Sequence, residues 1–272
     1  MPDAEQPVIS PEQVDAYRTN GFVSPLRVIL PEEAAAAMRH LADYEAEHGS
    51  SDALHMKSHI YFDWLWKIAR SPRVLEAVRA IMGPDVLVLA SRLWSKLPSD
   101  EKFVSWHQDV NYFGIDPSDA ACNIWIALTD ASEQAGCMRF IPGSHTHGLI
   151  EHEITMAANN LLTRGQTVRG VETSQSVAAP LAPGECSFHH GHALHCSQPN
   201  QSGHRRVGFS MILLQPHVRS TTGRRTASLL CGEDRYGHWD LDPEPTCDRD
   251  PAILARMKSA TKTYVPENAY SA

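Results

Sequence analysis

The sequence predicts a mainly β domain behind a set of supporting helices. The strong helix signals fall before Gly83, whereas the segments after it are short, rich in β-branched and aromatic residues, and bounded by Gly, Pro, Asn or Asp. Length agrees, because 272 residues can bury a large core and all-β domains of that size are commonly single.

In chain order, Ser10-Pro11-Glu12-Gln13 offers an N-cap, a proline for the first helical position and a capping-box glutamine, with Gly21 as the stop. Pro31 followed by EEAAAAMRHLADYEAEHG places acids at the start and strong helix formers in the body of a second helix that Gly49 ends. A third helix runs from Ser71-Pro72 to Gly83. The strand candidates are DVLVLASRLWSKLP, FVSWHQDV, CNIWIALTD, CMRFIP, ECSFHH and RVGFSMILLQP. Residues 144–177 form a polar insertion too long for an ordinary connection, of the kind that covers sites. From Arg219 onward the chain is charged and reads as irregular structure before a short final helix. With no repeat or Gly/Ser linker, residues 1–272 are expected to form one domain: a lead-in 1–84, a core 85–217 and a tail 218–272.

Composition excludes several classes. A net charge of −8, with acids spread along the chain, argues against a nucleic-acid partner, which needs a concentrated basic surface. No apolar run approaches the ~18 residues of a membrane-spanning helix. The six cysteines show no C-x-x-C spacing, so reduced thiols are expected rather than a zinc ribbon or disulfide scaffold. The amino terminus MPDAEQPVIS lacks the basic and apolar regions of a signal peptide, and a cytoplasmic location is the default expectation.

The stretch FVSWHQDVNYFG sets His107 and Asp109 two apart, which in a strand sends both to one face with Gln108 turned away. They are either half of a metal site or a chance pairing at a surface turn; a metal site needs one more histidine, for which HHGHALHCSQPNQSGHRR supplies candidates. Two histidines and one carboxylate make the facial triad of non-haem Fe(II) oxygenases; zinc can use the same ligands, but a closed structural zinc site wants four.

WHQD, IWIALTD, GCMRFIPGSH, APGECSFHH and LHCSQPNQSGHRR follow one another in an order that resembles the phytanoyl-CoA dioxygenase family of Fe(II)/2-oxoglutarate oxygenases. The resemblance implies a double-stranded β-helix, a cupin-like jelly roll with supporting N-terminal helices. It implies His107, Asp109 and His195 as ligands of Fe(II), with 2-oxoglutarate and O2 as co-substrates. The reaction implied is hydroxylation of a C–H bond of a small organic metabolite, with 2-oxoglutarate decarboxylated to succinate and CO2.

The same resemblance makes Arg206 the clamp on the distal carboxylate of 2-oxoglutarate, a task suited to a planar, permanently charged, two-pronged donor. Arg205 is its rival, and alternation along RVGFSMILL favours Arg206, which shares a face with Gly208 and Ser210. Trp125, Ser197 and Lys96 match positions that contact the co-substrate, while Tyr112, Phe113 and His59, with Lys57, are candidates for the substrate pocket. Among the other histidines, His190 is read as orienting a ligand by a hydrogen bond, and His145, His147, His189, His192 and His204 as structural or solvent-facing. A halogenase is the rival chemistry, disfavoured because such enzymes replace the ligand carboxylate by Ala or Gly where Asp109 stands here. A non-catalytic metal-binding β-barrel sensor is the rival outside it, and has no use for a co-substrate clamp. The expected partner is a small molecule, with no nucleic acid and no membrane, and the expected state a monomer or homodimer.

Overall fold

The computed structural model describes residues 7–51, 56–155, 157–162 and 165–255. Helix α1, Pro11–Asn20, is capped as the sequence requires: Ser10 Oγ accepts from Gln13 N, Gln13 answers to Ser10 N, and Gly21 closes the helix at φ 79°. Strand β1, Phe22–Arg27, is not among the strands expected from the sequence, and Pro25 sits in its middle. It survives as the edge strand of a sheet, where a missing N–H is tolerated. Helix α2, Pro31–His48, buries Ala34, Ala37 and Leu41 along one face. Two short helices, α3 at Ser58–Tyr61 and α4 at Asp63–Ala69, precede α5 at Pro72–Met82, whose buried Val74, Ala77, Val78 and Met82 follow the helical period.

The remaining strands are β2 (Val86–Lys96), β3 (Val104–His107), β4 (Ile115–Asp116), β5 (Ala121–Ala127), β6 (Met138–Phe140), β7 (Glu153–Ile154), β8 (Gln166–Thr167), β9 (Val177–Ala179), β10 (Glu185–His190), β11 (His195–Ser197), β12 (Arg206–Leu214), β13 (Arg219–Ser220), β14 (Thr226–Cys231) and β15 (Asp240–Leu241). They form a seven-stranded sheet in the order β1-β10-β5-β12-β2-β14-β15 and a four-stranded sheet in the order β3-β11-β6-β9. These are the two sheets of the expected jelly roll. The tail departs from its irregular reading: TASLLC becomes β14 beside β2, a short apolar run masked in the sequence by charged flanks. Residues 251–255 are helical; the rest of the expected final helix lies outside the described residues.

Alternation along the large sheet sorts its side chains. Val207, Phe209, Met211 and Leu213 of β12, with Cys186 and Phe188 of β10 and Ile124 and Ile126 of β5, join the helices in one buried cluster. The opposite face carries Arg206, Gly208 and Ser210, Trp125 and Asn123, and Ser187 and His189, and this inner face lines the site. The insertion runs beside β3: Phe103 N donates to Asn159 O, Leu161 N to Phe103 O and Val168 N to Trp106 O, at 3.0, 2.9 and 2.8 Å.

Candidate active site

His107 closes β3 and His195 opens β11, and antiparallel pairing sets the two in direct register. Each ring is aimed by its Nδ1, at 2.9 Å from Ser105 O for His107 and 3.0 Å from Ala193 O for His195. Since a carbonyl only accepts, Nδ1 carries the hydrogen and the Nε2 lone pair is left to bind. Asp109 does not continue the strand as simple alternation assumes. The chain leaves β3 at Gln108 and enters a 3-10 turn, Asp109–Tyr112, which still returns the carboxylate to the histidines. His107 Nε2 lies 3.3 Å from Asp109 Oδ1 and His195 Nε2 3.5 Å from Oδ2. One donor atom from each residue falls within 4.8 Å of the other two, the only such group among the described residues. Two imidazole nitrogens and one carboxylate fit Fe(II) and leave positions for further ligands.

Gln108 is turned away from this point, as expected, yet it is fully buried. Its amide donates to Gly148 O and His192 O at 2.7 and 2.8 Å and accepts from Ile150 N at 2.7 Å, while its backbone N–H donates to His152 Nε2. The first stretch of the insertion is thereby tied between the two ligand segments. Burial opposes ionisation of Asp109, but the neighbouring imidazoles of His195, His107 and His189 outweigh it and hold the carboxyl well below its usual range. Burial, then the neighbouring His107, drives His195 well below the usual imidazole value. A carboxylate beside a neutral imidazole is the protonation state a metal requires.

Across the inner face, Arg206 is 3% exposed and its guanidinium lies 4.4 Å from the centre of the Trp125 ring. Its Nε has no partner, and burial lowers its pKa to about 10. No carboxylate among the described residues forms an ion pair with it, an arrangement that costs stability unless an anion is bound there. Gly208 makes the stacking feasible, since a Cβ there would come 1.8 Å from Trp125 Cζ2. Arg205 points the other way and is spent on Glu45, bidentately at 2.6 and 2.9 Å. Lys96, fully buried and paired in register with Arg206, donates to Ser197 Oγ at 2.8 Å and to the carbonyls of Ser197 and Gln198. Burial and the Arg206 charge push its pKa down to about 6. Ser187 Oγ, Asn123 Oδ1 and His189 Nδ1 are likewise buried without partners. Asn123 lies on β5 with Trp125, and Ser187 and His189 lie on the adjacent β10, so the inner face from Asp109 to Arg206 offers unmatched polar atoms to an elongated polar molecule.

Other candidates go elsewhere. His59 does not reach the pocket: its ring is fully buried among helices and β2, with Nδ1 2.7 Å from Ser91 Oγ and Nε2 2.8 Å from Ser228 Oγ. Lys57 is committed to a buried ion pair with Asp242 of the tail. Phe113 packs into an apolar cluster with Leu87, Leu89 and Val110 rather than standing free as a wall, whereas Tyr112 sets its ring edge-on to His107, centroids 6.2 Å apart. His190 does not touch a ligand; it faces His145 and His192, its Nδ1 accepting from His192 N. The neighbour of the ligands is His189, 3.0 Å from Asp109 Oδ2, which sequence reasoning missed. The signal was present in ECSFHH: Cys186 and Phe188 mark the core face, so His189, not His190, must point inward.

A two-sheet jelly roll with this donor set at its mouth and a buried arginine on its inner face defines the class of Fe(II)/2-oxoglutarate-dependent oxygenases. Within that class the chain belongs to the phytanoyl-CoA dioxygenase (PhyH) family, whose model matches residues 5–208. It is 30% identical over 152 residues to mouse phytanoyl-CoA dioxygenase domain-containing protein 1, covering 54% of this chain and 52% of that protein. The chain thus spans about half the length of the curated relatives it matches first. Among solved structures, the apo form of the non-heme monooxygenase ThoJ superposes with a TM-score of 0.83 at 31% identity, over 93% of this chain and 95% of that one. A ThoJ–Ni complex follows at 0.77 and 29%, over 92% and 96%. The cytoplasmic expectation is corrected by two relatives, peroxisomal phytanoyl-CoA dioxygenases of human and cattle at 26% and 25% identity. A peroxisomal address is a short receptor-read signal, so the composition of the amino-terminal stretch does not decide the compartment. No helix among the described residues is long and apolar enough to cross a membrane.

Proposed function

We propose that this protein is a hydroxylase that holds Fe(II) on His107, Asp109 and His195 and 2-oxoglutarate on Arg206, and oxidises a C–H bond of a small organic metabolite. The observation that carries the reading is the buried Arg206 guanidinium stacked on Trp125 without a carboxylate partner, on the same inner face that approaches Asp109. Bound iron with 2-oxoglutarate and O2 supplies the oxidising power, releasing succinate and CO2. The chain's own part is binding and orientation. Ser105 O and Ala193 O aim the two imidazoles, Arg206 grips the far carboxylate against Trp125, and Ser197, braced by Lys96, adds a hydroxyl beside it. Tyr112, edge-on to His107, flanks the place where substrate would approach. Asp109 occupies the position that a halogenase gives to chloride, so oxygen is the atom delivered. We read the chain as one oxygenase domain acting as a monomer or homodimer on a small molecule rather than a nucleic acid.

The test is a screen of metabolites for substrate-stimulated succinate formation with Fe(II) and 2-oxoglutarate, followed by mass spectrometry of products made under labelled O2 with excess chloride. One added, labelled oxygen atom is expected. A chlorinated product, or the absence of any 2-oxoglutarate turnover by iron-loaded protein across the screen, would overturn the reading.

A further inference from the structure

We infer that His189, together with Asn123, is a positioning residue that holds one oxygen of Asp109 and leaves only the other for the metal. This rests on the triad reading above. His189 of β10 and Asn123 of β5 are partners in register on the inner face, 3% and 6% exposed. Both aim at the same atom: His189 Nε2 lies 3.0 Å from Asp109 Oδ2, and Asn123 Nδ2 donates to that oxygen as well. A carboxylate oxygen only accepts, so His189 Nε2 carries the hydrogen, and Oδ2 receives two donors, as many as it has lone pairs. Oδ1 is left, facing His107 Nε2 at 3.3 Å.

The consequence is chemical. Chelation through both oxygens would consume a coordination position, whereas binding through Oδ1 alone leaves three for the two oxygens of 2-oxoglutarate and for O2. A plain structural role is a poor account of these residues. His189 Nδ1 and Asn123 Oδ1 are both buried without a partner, which costs stability. Asp109 is the side chain on which each spends its one matched polar group. A histidine kept for packing could be replaced with profit by an aromatic hydrocarbon ring between Phe140 and the site, because the His189 and Phe140 rings already lie 5.3 Å apart.

The experiment titrates Co(II), as a stand-in for Fe(II), into metal-free protein by calorimetry and visible absorption, and records the melting temperature of the same metal-free samples. Wild-type protein is expected to bind one equivalent. His189→Phe should bind about ten- to a hundredfold more weakly, the usual cost of removing a group that orients a ligand, while its metal-free form melts no lower than wild type. His189→Gln, which keeps an N–H donor, should recover most of the affinity. Asn123→Ala removes the other donor with a small change of volume and should also weaken binding, so the inference is decided even if His189→Phe does not fold. Unchanged Co(II) affinity in His189→Phe, or in Asn123→Ala should the former not fold, would overturn it, as would an equal loss in His189→Gln. Wild-type protein that bound no Co(II) or Fe(II) would overturn the triad itself, and the inference with it.

Discussion

Arg205 and Arg206 are adjacent in the chain and opposite in use, one tied to Glu45 outside the sheet and one buried over Trp125 inside it. Arg206→Gln should therefore raise the dissociation constant for 2-oxoglutarate about a hundredfold, near the ~3 kcal/mol expected for a charge-assisted bidentate contact. Arg205→Gln should leave that constant unchanged and lower stability by about 1 kcal/mol or less, because its ion pair is partly solvated. Calorimetric titration and thermal melts separate the two. Lys96 adds a pH dependence. Its pKa of about 6 in the free protein reflects burial and the Arg206 charge, and a bound dianion would oppose the latter and raise the value. Binding then takes up a proton above about pH 6, so 2-oxoglutarate affinity should fall as pH rises from 6 to 8. Titration in buffers of different ionisation enthalpy reads the proton directly, and Lys96→Met should abolish the uptake.

At the level of elements, β12 shows how a two-residue period distributes roles: Val207 and Phe209 enter the core while Arg206 and Gly208 face inward. Gly208→Ala should displace Trp125, costing about 1–3 kcal/mol of stability as an overpacked substitution and weakening 2-oxoglutarate binding, as melts and titration would show. Much of this was legible beforehand. Caps and prolines announced α1 and α5, and alternation chose Arg206 over Arg205. What stayed hidden depended on tertiary partners. β1 is a strand despite Pro25 because β10 pairs with it, and β14 forms because β2 offers it an edge. The metal donors were found although their local geometry was not, since the turn at Asp109 is set by contacts beyond its own residues, with Asn123 and His189. His59 and Phe113 were misplaced because a sequence does not say which side of a sheet a helix or turn will cover.

Across the whole molecule, the lead-in and the tail meet behind the large sheet. Lys57 donates to Asp242, whose carboxylate also accepts from Ser228 at 2.9 Å, and Ser228 reaches His59. Two side chains only 6% and 2% exposed thus couple residues far apart in sequence. Asp242→Asn removes the anion opposite a buried ammonium and should lower unfolding free energy by about 3 kcal/mol, read in denaturant melts, while the dissociation constant for Fe(II) stays near the wild-type value.

The strand that delivers His107 is the outermost of its sheet, and its free side is taken up by the insertion through the backbones of Phe103 and Trp106. An open strand edge is a template for other chains, so this segment is also a guard against self-association. A shortening of the insertion that bared this flank would leave the strand open to pairing with another chain. The same backbone bonds that hold the insertion to the ligand-bearing strand thus also close an edge that another chain could otherwise use.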